Sequence, residues 1–331
     1  MNHRPFTATV LLLATFLFTA CQADLRELCY DHHHHQNEPM LELALNLELD
    51  VDIDIEVLTE QTRITEPEYM KVCFYSPSQA ALQSTEFVSG RGGPLHTAPG
   101  LYEMVCYSFG TEYIQIRGEG DISTLEAFTS DITASRASTF AKFTRGAGDE
   151  APGPIIYPPD HLLVARETVK IPSYEEVDDQ VVTIKAIAST IVETYIFKVP
   201  HVDGVQYVES VEGYVTNQAR SSFFGRGEVN TEPATLCFPV EIDLQNGLFQ
   251  TSFNTFGKLP GESRSYLHIV IKDTGGKEYR ISTDITDQFL KPDHEIIIDD
   301  EINISKPESR GGGIAPTVEP WQEETHDVPI G

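Results

Sequence analysis

Basic residues are scarce in this sequence: 23 Lys and Arg stand against 51 Asp and Glu, for a net charge of -28. That field repels phosphate. It argues against nucleic-acid binding, which begins with phosphate neutralisation by Lys and Arg, and it disfavours anionic lipid. Long apolar runs are missing as well. The run Val10–Phe18 falls short of the ~20 residues a transmembrane helix needs, and no later segment does better. Catalytic signatures are absent: no G-x-S-x-G, H-E-x-x-H or Walker A pattern occurs. The five Cys form no C-x-x-C pair, which excludes a zinc ribbon or thioredoxin-like motif. Tryptophan is reduced to Trp321, which gives little encouragement to an aromatic sugar-binding platform.

What is present begins at the N-terminus. A short positive start containing Arg4 precedes the apolar run VLLLATFLF, and Thr19 and Ala20 precede Cys21. This is the pattern of a secretory signal peptide. The segment L-F-T-A-C resembles a bacterial lipobox, with cleavage between Ala20 and Cys21 and lipidation of Cys21. Each buried acyl CH₂ adds ~0.8 kcal/mol of membrane affinity, so several chains make a lasting anchor. Residues 1–20 are therefore read as signal peptide and 21–40 as a lipidated tether.

Residues 41–57, LELALNLELDVDIDIEV, are apolar at every odd position and polar at every even one except Ala44. Period two specifies a strand and rejects a helix. At ~3.3 Å per residue the run would span ~55 Å, far beyond a usual strand, so a bend or a crossing between sheets is expected. Further strands are expected at Tyr69–Tyr75, Leu101–Phe109, Tyr113–Arg117, Thr124–Thr129, His161–Ala165, Thr168–Ile171, 180–199, Val205–Thr216, Thr235–Ile242, Leu248–Phe256, Tyr266–Lys272, Glu278–Ile285 and Glu295–Ile304. Asp203-Gly204 reads as a turn, and Asn246-Gly247 and Gly275-Gly276 as hairpin connections. Many short strands with regular turn signals imply an all-β protein of two tandem β-sandwiches. The first is placed at 41–171 and the second at 176–305. Residues 306–331, rich in Gly and Pro, form a tail.

Few residues offer chemistry. Four consecutive His, 32–35, could bind a metal, but adjacent His in a tether are not a preorganised site. The acidic face of 41–57 cannot wrap calcium, because same-face neighbours sit nearly 7 Å apart on a strand. Asp299, Asp300 and Glu301 are a weaker version of the same idea. Acidic pairs are too abundant to identify a hydrolase. No cofactor or metal is implied. Cys73 and Cys106 both lie in apolar strand-like runs, in an exported chain where disulfides form. They are a candidate disulfide or two free buried thiols.

Five segments, taken in order, resemble a family. They are the lipobox followed by Cys29-Tyr30-Asp31-His32 and the long alternating strand; Leu101-Tyr102-Glu103 through Cys106-Tyr107-Ser108 to Glu112-Tyr113-Ile114; Thr194-Tyr195-Ile196-Phe197-Lys198-Val199 with Tyr207-Val208; Phe253-Asn254-Thr255-Phe256-Gly257; and the Gly-rich tail with Trp321. Together they are similar to Bacteroidetes-type surface lipoproteins of the fimbrillin-like and fimbrium-anchoring group. The resemblance implies two transthyretin-like (Ig-like) sandwiches and partnership with fimbrial or other surface subunits through strand addition. It also implies cleavage after an Arg by a trypsin-like protease; Arg63 and Arg145 lie in loop-like sequence, without a specific pattern. The expected function is that of a non-enzymatic outer-membrane lipoprotein, a fimbrium anchor, assembly or accessory subunit, lipid-anchored and facing the surface. The alternative is a surface glycan- or ligand-binding lipoprotein serving an importer.

Overall fold

A computed structural model describes residues 40–51, 59–132, 153–176, 181–261 and 263–307. In chain order the strands are β1 (Leu41–Asp50), β2 (Tyr69–Tyr75), β3 (Leu82–Ser89), β4 (Gly92–Thr97), β5 (Gly100–Ser108), β6 (Ile114–Arg117), β7 (Glu126–Thr129), β8 (Ile155–Ile156), β9 (Leu163–Ile171), β10 (Val182–Thr190) and β11 (Glu193–Val199). They continue as β12 (Val202–Asp203), β13 (Val208–Ala219), β14 (Ser221–Phe223), β15 (Glu228–Val229), β16 (Pro233–Pro239), β17 (Glu241–Asp243), β18 (Leu248–Thr255), β19 (Tyr266–Asp273), β20 (Glu278–Asp284), β21 (Glu295–Ile297) and β22 (Ile302–Asn303). Three short 3₁₀ turns, the first at Glu60–Thr62, are the helical elements among the described residues.

The all-β, sandwich-like architecture expected from the sequence is present. Alternation drives it. In β1, Leu43, Leu45, Leu47 and Leu49 are buried while Glu42, Asn46, Glu48 and Asp50 face water. The continuation at 52–58 lies outside the described residues. Seven strands follow the order β1-β10-β9-β5-β2-β3-β4, and β4 pairs back onto β1 to close the sheet. Inside it the β1 leucines meet Met70, Val72, Phe74, Met104 and Cys106. β1 and β10 run parallel, in register from Leu43 opposite Val182 to Asp50 opposite Ser189.

The second unit stacks the sheet β17-β18-β11-β21 on the sheet β20-β19-β13-β16-β8. Between them lie Phe197, Phe238, Phe249, Phe253, Leu236 and Ile269, among others. The predicted turns form. Gly247 closes β17–β18 and Gly276 closes β19–β20, at φ of 67° and 87°, values that glycine reaches without steric cost.

Pairing crosses the 171/176 division drawn from the sequence. β10, placed with the second sandwich, lies in the first closed sheet; β8 extends a sheet of the second unit; and β14 and β15 join β7 and β6. A third core lies under this crossing. Cys73, Tyr75, Val105 and Tyr107 point from the outer face of β2 and β5 toward Ala219, Phe224, Phe256 and Leu259. β2 and β5 are thus buried on both faces, which explains their nearly unbroken apolar sequence.

Candidate assembly surface

Two polar clusters hold the halves in place. In the first, the buried Glu126 carboxylate accepts from Arg117 Nε at 2.6 Å and from Ser221 Oγ. Asn230 Nδ2 donates to Ser221 Oγ at 2.9 Å. Burial would raise the Glu126 pKa, but the hydrogen bonds from Arg117 and Ser221 outweigh it and hold the group below its ordinary value. In the second cluster, His161 Nδ1 meets Thr190 Oγ1 at 2.9 Å and Nε2 meets the Thr62 carbonyl at 3.0 Å. Thr194 Oγ1 donates to Asn254 Oδ1, and Asn254 Nδ2 donates to the Pro159 carbonyl. Thr62 also pairs with Ser252. Burial lowers the His161 pKa, consistent with a neutral ring whose Nε2–H donates to Thr62 and whose Nδ1 accepts. Both clusters are satisfied internally, and Arg117, Glu126 and Ser221 of the first also border an open cleft with Asp131 and Arg220.

The surface tells more about partners. Lys71 on β2 lies between Phe87 on β3 and Tyr107 on β5. One step toward the strand end, Tyr69 and Phe109 flank the same face. The Phe87 and Phe109 rings meet edge to face at 5.4 Å. Tyr69, Phe87 and Phe109 are between 45% and 58% exposed, a contiguous aromatic patch. Beside it Glu119 takes hydrogen bonds from Lys71 and Tyr107.

Sheet edges are the other candidate surface. β20 ends its five-stranded sheet and alternates exposed Glu278, Arg280, Ser282 and Asp284 with half-buried Tyr279, Ile281 and Thr283. Its outer edge forms no ladder among the described residues. The charges on it are the usual guard against indiscriminate pairing.

The residues singled out from sequence fare unevenly. Ala20, Cys21, His32–His35 and Arg145 lie outside the described residues. Arg63 follows the first 3₁₀ turn, exposed, with Glu60 at 3.6 Å. Asp299 and Glu301 border an open cleft with His201, Asp203 and Asn246; among the described residues no three such groups are placed to hold a metal ion. Of the two readings left open for Cys73 and Cys106, the structure has the second: both are free buried thiols. Cys73 sits opposite Val105 and Cys106 opposite Val72, so the two sulfurs point to opposite faces of one sheet, into different cores. The aromatic patch was not singled out, because its three residues come together only through strand register.

Comparison with known proteins agrees with this architecture. The family model described as "Domain of unknown function (DUF5119)" matches residues 20–239, a span that runs through the closed sheet and ends in β16 of the second unit. A Bacteroides ovatus protein bearing the name fimbrium anchoring subunit Fim4B is 24% identical over 301 residues, covering 80% of this chain and 85% of its own. A crystal structure of a Bacteroides ovatus protein classed by name as an adhesin superposes with a TM-score of 0.58 at 23% identity, covering 82% of this chain and 94% of that one. That structure shares the fold. The chain belongs to the DUF5119 family, with a relative among the Bacteroides proteins named for fimbrium anchoring.

Proposed function

We propose that this protein is a non-enzymatic outer-membrane lipoprotein that serves a fimbrium as anchor, assembly or accessory subunit. The observation that carries the reading is the relationship to the fimbrium anchoring subunit, which extends over most of both chains. Three features of the chain support it. The lipobox supplies Cys21 as the site of acylation. The fold is built of sheets with open edges, of which β20 is the longest among the described residues, and an open edge accepts an extended segment through backbone hydrogen bonds while alternating side chains select it. The aromatic patch offers a partner a compact apolar anchor. The Pro-rich tail is a poor donor strand, since Pro cannot pair within a sheet interior, and this suits a basal or accessory subunit better than a repeating one.

The test is a gentle cross-link on intact cells followed by purification and identification of what accompanies the protein. Co-purification of β-rich secreted subunits, lost with Cys21→Ala, supports the reading. An importer component in their place contradicts it.

The exposed Tyr69–Phe87–Phe109 cluster favours a second reading, a glycan-binding lipoprotein serving an importer, because aromatic faces stack on sugars. Glycan-array binding that is lost when Phe87 and Phe109 become Ala supports that alternative; an array without binders rejects it.

A further inference from the structure

Apolar side chains also stand out at the end of the closed sheet remote from the aromatic patch. Strand register gathers them. β1 begins at Leu41, opposite Thr97 at the end of β4. β5 begins at Gly100, opposite Ile171 at the end of β9. β10 begins alongside β1, with Val182 opposite Leu43. Met40, Leu101, Tyr174 and Val181 therefore ring one rim, and they are 59%, 55%, 39% and 64% exposed. The nine residues of β5 put the opposite rim, with Tyr69, Phe87 and Phe109, about 30 Å away.

The chain itself says what meets this rim. Met40 closes the tether 21–40 and opens the fold, so an acyl group on Cys21 attaches the chain to the bilayer nearest in sequence to this end. The side chains fit that neighbour: three aliphatic residues, and a Tyr whose ring and hydroxyl suit the boundary between acyl chains and headgroups. The charges at the rim define the lipid. Glu42, Glu175 and Glu176 are exposed there with Lys170, a net acidic set that anionic headgroups repel.

We propose that Met40, Leu101, Tyr174 and Val181 form a membrane-contacting rim that settles among zwitterionic phospholipid headgroups and points the aromatic patch away from the bilayer. This rests on the reading of Cys21 as the anchored residue and adds to it an orientation. A tether alone would let the body tumble, whereas a seated rim fixes which surfaces a partner can reach.

The chain's single Trp makes the test direct. The full mature chain carries Cys29→Ser and Trp321→Phe, plus one new Trp in place of Leu101 or Val181, with Leu244→Trp and Leu290→Trp as exposed controls on the second unit. Each is coupled through Cys21 to a maleimide phospholipid in phosphatidylcholine vesicles, so the result does not depend on acylation in cells. Acylation is read separately, from the mass of the N-terminal peptide of cell-derived protein. Replacing the host lipid by one brominated near the headgroup end of its chains should quench Trp at 101 and 181 at least about twofold more than at 244 and 290. Phosphatidylglycerol in the vesicle should reduce that difference. Equal quenching at the four positions, or stronger quenching at the controls, overturns the proposal.

Discussion

The ring of Phe238 lies over the backbone of Gly213, its direct cross-strand neighbour in β13 and β16. A Cβ at Gly213 would fall 2.4 Å from Phe238 Cε2 and 2.7 Å from Cζ. The ring cannot simply move aside, because it stacks on Phe253 at 4.3 Å inside the second core. Gly213→Ala should therefore cost ~1–3 kcal/mol, the usual penalty for overfilling a packed site. A urea melt with unchanged slope and a lower midpoint checks this; an unchanged midpoint would mean that the ring has room to yield.

Cys73 and Cys106 should behave as two thiols. Burial pushes Cys106 up to about 12 and also raises Cys73, so both are protonated near neutrality. Reducing agent should leave the melting temperature unchanged. A thiol reagent should modify both residues at least ~100-fold faster after denaturation than before it, as expected for inert buried thiols. A fall in melting temperature on reduction that disappears in Cys106→Ala would reinstate the bridge.

Stability should decline as the solution is acidified below about pH 6.5, partly through His161. Its folded pKa lies below the ordinary 6.5 because the ring is buried. The unfolded chain thus binds a proton first, and the stability that this group contributes above 6.5 is lost as pH falls toward the folded value. His161→Gln should flatten the slope of melting temperature against pH just below about 6.5. An unchanged slope would place the titration elsewhere.

At lower pH Glu126 takes over. Burial alone would raise its carboxyl, but the hydrogen bonds from Arg117 and Ser221 keep it below 4.5, so its contribution is present above that value and lost as pH falls beneath it. Ser221→Ala should cost ~1 kcal/mol at neutral pH. Glu126→Ala leaves Arg117 and Ser221 without their shared acceptor and should cost ~1–3 kcal/mol. Guanidinium melts of both variants and of the double variant test this, because strongly non-additive losses are expected for neighbours in one network.

Much of the fold was legible wherever alternation reached the surface of a strand. β2, β18, β19 and β20 sit within a residue or so of their expected spans, β1 begins at the expected Leu41 and is described as far as Asp50, and both glycine hairpins close where the dipeptides stand. β3 and β4 were not legible. β3 reads LQSTEFVS, with only Val88 buried, so it lacks an apolar period. β4 begins Gly-Gly-Pro, which is turn chemistry by any local rule. Only tertiary contact explains it: a side chain at Gly92 would strike the Leu45 carbonyl, and Pro94 faces Ala44, the one residue that breaks the polar row of β1. The membership of β10 was illegible for a different reason. Local sequence specifies a strand but not its neighbour, and the parallel β1–β10 ladder joins residues far apart in the chain. The same limit hid the aromatic patch, whose members belong to three separate segments.

The account stands or falls on anchoring. The most direct measurement compares fimbrial polymer on washed cells with polymer shed into the medium, for the native chain and for Cys21→Ala at matched expression. Polymer that moves from cells to medium in the variant is the predicted result. Equal amounts on the cells, with the variant protein itself released, would contradict it.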